Sequence, residues 1–138
     1  MKKRYIVIII AIILVISGAV AYFISVTFIG RKPFKNLQAS DIVSVMAQLL
    51  PPDKTIPIED KETFTELLRS QVVFKRDDSY PGMAGQIIIF TLTMTDGTKL
   101  EVDEFNPFLI INGVGYKCKY GPCEALNNYA NMLLEQFE

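Results

Sequence analysis

Residues 86–103 read QIIIFTLTMTDGTKLEVD, and the order of apolar and polar side chains in this stretch decides the fold class. Ile88, Phe90, Leu92 and Met94 fall on even positions with Thr91, Thr93 and Thr95 between them, the period of two of a strand with one wet face. Beyond the turn, Leu100 and Val102 alternate with Lys99, Glu101 and Asp103. Parity then selects the turn. A two-residue Asp96-Gly97 loop would set Leu100 opposite Thr93 and put core residues on the wet face. A three-residue loop, Thr95-Asp96-Gly97 with Gly97 left-handed, pairs Leu92 with Leu100 and Phe90 with Val102. The result is an antiparallel hairpin with one apolar face that other elements must cover.

Downstream, residues 108–111 are apolar on both faces, as in a central or doubly covered strand, and Asn112-Gly113 turns the chain. Val114, Tyr116, Cys118 and Tyr120 share one face of the next strand. Gly121-Pro122 opens a C-terminal helix whose core side is expected to carry Leu126, Tyr129, Ala130, Leu133 and Phe137. Upstream, Ile42, Val45, Met46, Leu49 and Leu50 recur at helical spacing behind Ser40 as N-cap and ahead of Pro51-Pro52, which predicts a short helix. Residues 54–58 read as extended. Asp60 caps a second predicted helix carrying Phe64, Leu67, Leu68 and Gln71, with Glu62 in its first turn, where the helix dipole favours a negative charge. Residues 72–75 form a brief strand, followed by a polar loop over 76–85.

The N-terminal 25 residues from Tyr5 to Ile29 carry no charge and no proline, directly after Lys2, Lys3 and Arg4. The expectation is a transmembrane helix. Ala19-Val20-Ala21 would suit signal cleavage, but the eight residues that follow are again almost wholly apolar and would leave a sticky terminus. The basic triplet is answered by Arg31, Lys32 and Lys35, so the charge bias is weak; the short N-terminal stub places the domain outside the cytoplasm. The expected architecture is thus α+β: a transmembrane anchor over 1–30, a linker over 31–37, and an extracytoplasmic domain over 38–138. That domain should hold two short helices, an antiparallel sheet of about four to five strands and a C-terminal helix packed on it.

Composition narrows the chemistry. All 15 acidic residues but only 8 of the 14 basic ones lie beyond Lys35, leaving the domain near −7. Such a domain is ill suited to nucleic acid, whose phosphates need clustered cations. The chain has no histidine, which removes the commonest general base and metal ligand, and with them Ser-His-Asp and zinc-hydrolase chemistry. Nothing resembles a phosphate loop or a dinucleotide fingerprint.

Five segments, LPPDK at 50–54, DGT at 96–98, NPF at 106–108, INGVGY at 111–116 and KYGPCEAL at 119–126, occur in this order. Together they resemble a family of small membrane-anchored or exported domains from Gram-positive bacteria of the Clostridia type. The resemblance covers nearly all of the domain and rests on turn and packing motifs. It implies a bacterial, single-pass, outward-facing protein, and it implies no activity.

Among candidate sites, the tract YKCKYGPCE over 116–124 stands out. Cys123 near a helix N-terminus, with Lys117 and Lys119 close in sequence, is a candidate reactive thiol, but no base is evident beside it. The alternative is a structural role for Cys118 and Cys123, as buried thiols or as a disulfide. Asp77, Asp78, Asp103 and Glu104 offer oxygens to a calcium ion but lack the spaced calcium loop, so a solvated surface is expected. Tyr80, Tyr116 and Tyr120 are candidates for a groove or for the core. Ser79, Tyr80, Pro81 and Met83 are the candidate contact surface. The function expected is that of a single-span, non-enzymatic module with no cofactor and no metal, binding an envelope protein or peptide. A thiol-dependent redox or transfer enzyme using Cys123 is the alternative.

Overall fold

The computed structural model describes residues 2–138. Helix α1 (Lys2–Ile24) continues as a π-helical turn, Ser25–Ile29; the apolar helix Lys2–Ile29 has 28 residues and an 18-residue window of mean hydropathy 3.0, and Lys2–Ile24 is exposed while residues 25–27 are partly buried against the domain. At 1.5 Å per residue it is about 42 Å long, more than the roughly 30 Å of a bilayer's hydrocarbon core. Length and composition therefore suffice to cross a membrane; a signal sequence passes the same test.

The domain follows in the order β1 (Ile42–Leu50), β2 (Lys54–Pro57), α2 (Lys61–Arg69), β3 (Val73–Arg76), β4 (Ile87–Met94), β5 (Lys99–Phe105), β6 (Phe108–Ile111), β7 (Val114–Cys118) and α3 (Tyr120–Phe137). The strands make one antiparallel sheet ordered β2-β1-β4-β5-β6-β7-β3. Helices α2 and α3 cover one face, where Phe64 and Leu68 of α2 and Leu126, Ala130 and Leu134 of α3 join Ile88, Phe90, Leu92 and Val102 in the main core. On the other face a smaller cluster of Phe105, Phe108 and Ile110 lies under Tyr80 and Ile87. This accounts for the doubly apolar reading of residues 108–111.

The β4–β5 register is Phe90 with Val102 and Leu92 with Leu100, as parity requires. Gly97 sits at φ +85°, its N–H donating to the Met94 carbonyl at 3.0 Å, while Asp96 Oδ1 accepts from Thr98 N at 2.9 Å. Helix α2 also forms as expected, with Asp60 Oδ1 accepting from Thr63 N at 3.0 Å.

Residues 42–50 differ from expectation: they form strand β1, not a helix, so the domain has one short α-helix, between β2 and β3, and seven strands rather than four to five. The register with β4 shifts between Ile42 and Ser44. That irregularity resets the side-chain alternation, so Ile42 points inward and then Val45, Ala47 and Leu49 do. The inward set mimics helical spacing, whereas Met46, read as core, is exposed and Ala47 is fully buried. Ser40 caps no α-helix; a single 3-10 turn, Ala39–Asp41, precedes the strand. In α3, Leu134 takes the inward place expected for Phe137, which is exposed.

The apolar helix meets the domain with little slack. Arg31 N donates to Val73 O at 2.8 Å and Val73 N to Arg31 O at 2.9 Å, and Phe34 is buried. Gly30, at φ +76°, makes the approach possible, since a Cβ there would lie 2.6 Å from Val72 Cγ1.

Candidate functional site

Leu100, Val102 and Glu104 share one face of β5, so the same alternation that buries Val102 also buries a carboxylate. Above it, α3 presents Cys123, Asn127 and Asn131 at i, i+4 and i+8, one row beside its apolar stripe. Asn127 Nδ2 donates to Glu104 Oε2 at 2.7 Å, and Asn106 N to Oε1 at 3.0 Å. The Cys123 thiol donates to Oε1 at 3.4 Å. Gln86, just before β4, extends the network by exchanging hydrogen bonds with Asn131 at 2.9 and 3.2 Å. Its Nε2 also reaches Pro51 O at 2.9 Å. A groove of about 280 Å³ opens over this floor, rimmed by Gly85, Phe105, Tyr120, Glu124 and Asn128. Tyr120 and Asn128 face solvent, and Tyr120 OH donates to Glu124 Oε1 at 3.1 Å.

Burial pushes the Glu104 carboxyl above its usual range, against the hydrogen bonds from Asn127, Cys123 and Asn106 that favour the charged form. The Cys123 thiol is held well above the ordinary thiol range by the neighbouring Cys118 thiol, by burial and by the Glu104 carboxylate. Both sulfurs are free and buried. Sequence reading found no base for Cys123; the structure supplies Glu104, an acceptor whose negative charge disfavours the thiolate.

The acidic candidates do not gather, and Glu104 is fully buried, not on the solvated surface expected for it, because it continues the inward alternation of Leu100 and Val102. Asp103 and Glu104 leave opposite faces of β5, while Asp78 Oδ1 accepts from Gly115 N at 2.8 Å and Asp77 Oδ1 from Ser79 N at 3.0 Å. Among the described residues no group of three or more acids or cysteines could hold a metal ion. Tyr80 packs on Phe108 with ring centroids 6.0 Å apart, and Tyr116 lies beneath Arg31 at 5.0 Å. Ser79, Pro81 and Met83 are exposed, so their loop is accessible, and its far end at Gly85 and Gln86 borders the groove.

Burial, with Glu101 adding, pushes Asp103 up to about 6. Between 3.8 and about 6 the folded state keeps a proton that the unfolded chain releases, so stability falls as pH rises through that window. Asp60, Asp77, Asp78 and Asp96 are lowered by hydrogen bonds, with opposite sign and in a lower pH range. In urea unfolding at about pH 4 and about pH 7, Asp103→Asn is expected to lose less stability than wild type on going to the higher pH. An unchanged difference would remove Asp103 as the cause. No protein-family model, curated protein or solved structure matches this chain.

Proposed function

We propose that the chain is a single-pass membrane protein of Gram-positive type whose domain lies outside the cytoplasm and binds an envelope protein or peptide without catalysing a reaction. The supporting observation is the open groove above Glu104, floored by amides that other amides hold in place. Asn and Gln side chains donate and accept in equal measure, as a peptide backbone does, and exposed Tyr120 offers a rigid aromatic anchor at the rim.

The test is co-sedimentation of the detergent-solubilised full chain with purified envelope fractions. Tyr120→Ala and Asn128→Ala should each weaken binding, by about tenfold for the aromatic anchor, with the fold unchanged. Met83→Ala should bind as wild type. If Met83→Ala loses binding and the groove variants do not, the contact surface is the 79–83 loop and the groove reading fails.

The thiol-enzyme alternative draws on one observation, the 3.4 Å approach of Cys123 to Glu104. Alkylation near neutral pH separates the two readings. A buried, protonated sulfur should react far more slowly than a free-cysteine peptide, and a faster rate would favour the enzyme.

A further inference from the structure

Two clefts flank the point where the apolar helix enters the domain, and cations line both. The first, about 380 Å³, is bordered by Lys32, Lys35, Glu66, Arg69 and Ser70. Lys32 and Lys35 follow the span directly, and the last turn of α2 brings Arg69 to them. Among the described residues none of these three cations forms an ion pair, so three positive groups face one acid. Nor are they needed to cap α2. Its final carbonyls already accept from Ser70 N at 3.0 Å, Gln71 N at 3.0 Å and Ser70 Oγ at 2.7 Å. The second cleft, about 410 Å³, joins Tyr22 and Ser25 of the helix to Arg31, Phe74, Arg76 and Tyr116 of the domain. Arg76 there is paired with Asp78 at 2.7 Å, whereas Arg31 lies over the Tyr116 ring.

An acidic domain held this close to an anionic bilayer would be repelled by it, so cations gathered at the exit of the span reverse the local field where repulsion would be greatest. Tyr22 in the second cleft suits the headgroup level, where aromatic side chains collect. We propose that the two clefts seat the phosphate headgroups of anionic phospholipids in the leaflet from which the span emerges, drawing the domain down onto the bilayer. This rests on the span being retained as an anchor.

The experiment uses the full chain in vesicles, with electron spin resonance of spin-labelled phosphatidylglycerol and phosphatidylcholine reporting which lipid gathers at the protein. Wild type should enrich the anionic lipid severalfold, at most about fivefold for each cation engaged. Lys32→Gln/Lys35→Gln/Arg69→Gln, folded by circular dichroism, should lose the share of that enrichment contributed by the first cleft. Lys2→Gln/Lys3→Gln/Arg4→Gln should keep the part contributed by the clefts. The proposal is overturned if the cleft variant matches wild type. It is overturned equally if inorganic phosphate occupies the clefts while anionic lipid is not enriched, which would make them ordinary anion sites. The mass of the chain recovered from cell membranes tests the anchor separately: a cleaved chain overturns both readings, and a retained chain without enrichment overturns this one alone.

Discussion

Phe90→Ala is expected to cost about 3 to 5 kcal/mol, a large share of a small domain's total stability. Phe90 is fully buried in the centre of the sheet, opposite Val102, with its ring centroid 5.1 Å from that of Phe64 on α2. Truncation therefore opens a cavity where the sheet and a helix meet and also deletes an aromatic pair. Thr91→Ala, one residue on and facing the opposite way, should cost well under about 1.5 kcal/mol. Urea unfolding of the chain lacking the span provides both values. Equal costs would mean that the helices cover the other face of the sheet.

The second large effect concerns the buried carboxylate. Asn127→Leu removes the 2.7 Å donor from Glu104 Oε2 and leaves a charged oxygen with no replacement, at a cost of about 3 kcal/mol where Glu104 is ionised. The cost should shrink at acid pH. Burial raises the Glu104 pKa, so protonation removes the charge that Asn127 serves and leaves a neutral group to satisfy. Asn128→Leu, exposed on the same helix, is the comparison. If the two substitutions cost the same at both ends of the pH range, Glu104 does not depend on the α3 amides.

The elements legible from sequence were those in which one period runs undisturbed. Strands β4 and β5 alternate cleanly, and the hairpin register followed from parity and one left-handed glycine. Strand β1 was misread because its register shift between Ile42 and Ser44 joins two short alternations into a helical spacing. A single sequence carries no mark of where a strand bulges, although Ile42, Val43 and Val45 are all β-branched and favour a strand. The polar site was misread, since Glu104 is expected on a solvated surface and is instead fully buried, yet the signal for it is in the chain. Extending the parity of Leu100 and Val102 by two residues places Glu104 inward, and Cys123, Asn127 and Asn131 stand at helical spacing beside the apolar stripe. What the chain alone could not show is that β5 and α3 meet, because that contact depends on how the whole sheet is covered.

Protease treatment of intact protoplasts tests most directly the claim that the domain works at the outer surface of a membrane. With Lys2 to Arg4 inside and the span retained, added protease should remove the 36–138 domain while the N-terminal stub stays protected and in the membrane fraction. Full protection of the domain in sealed cells, with digestion only after lysis, would contradict the orientation and with it a partner in the envelope.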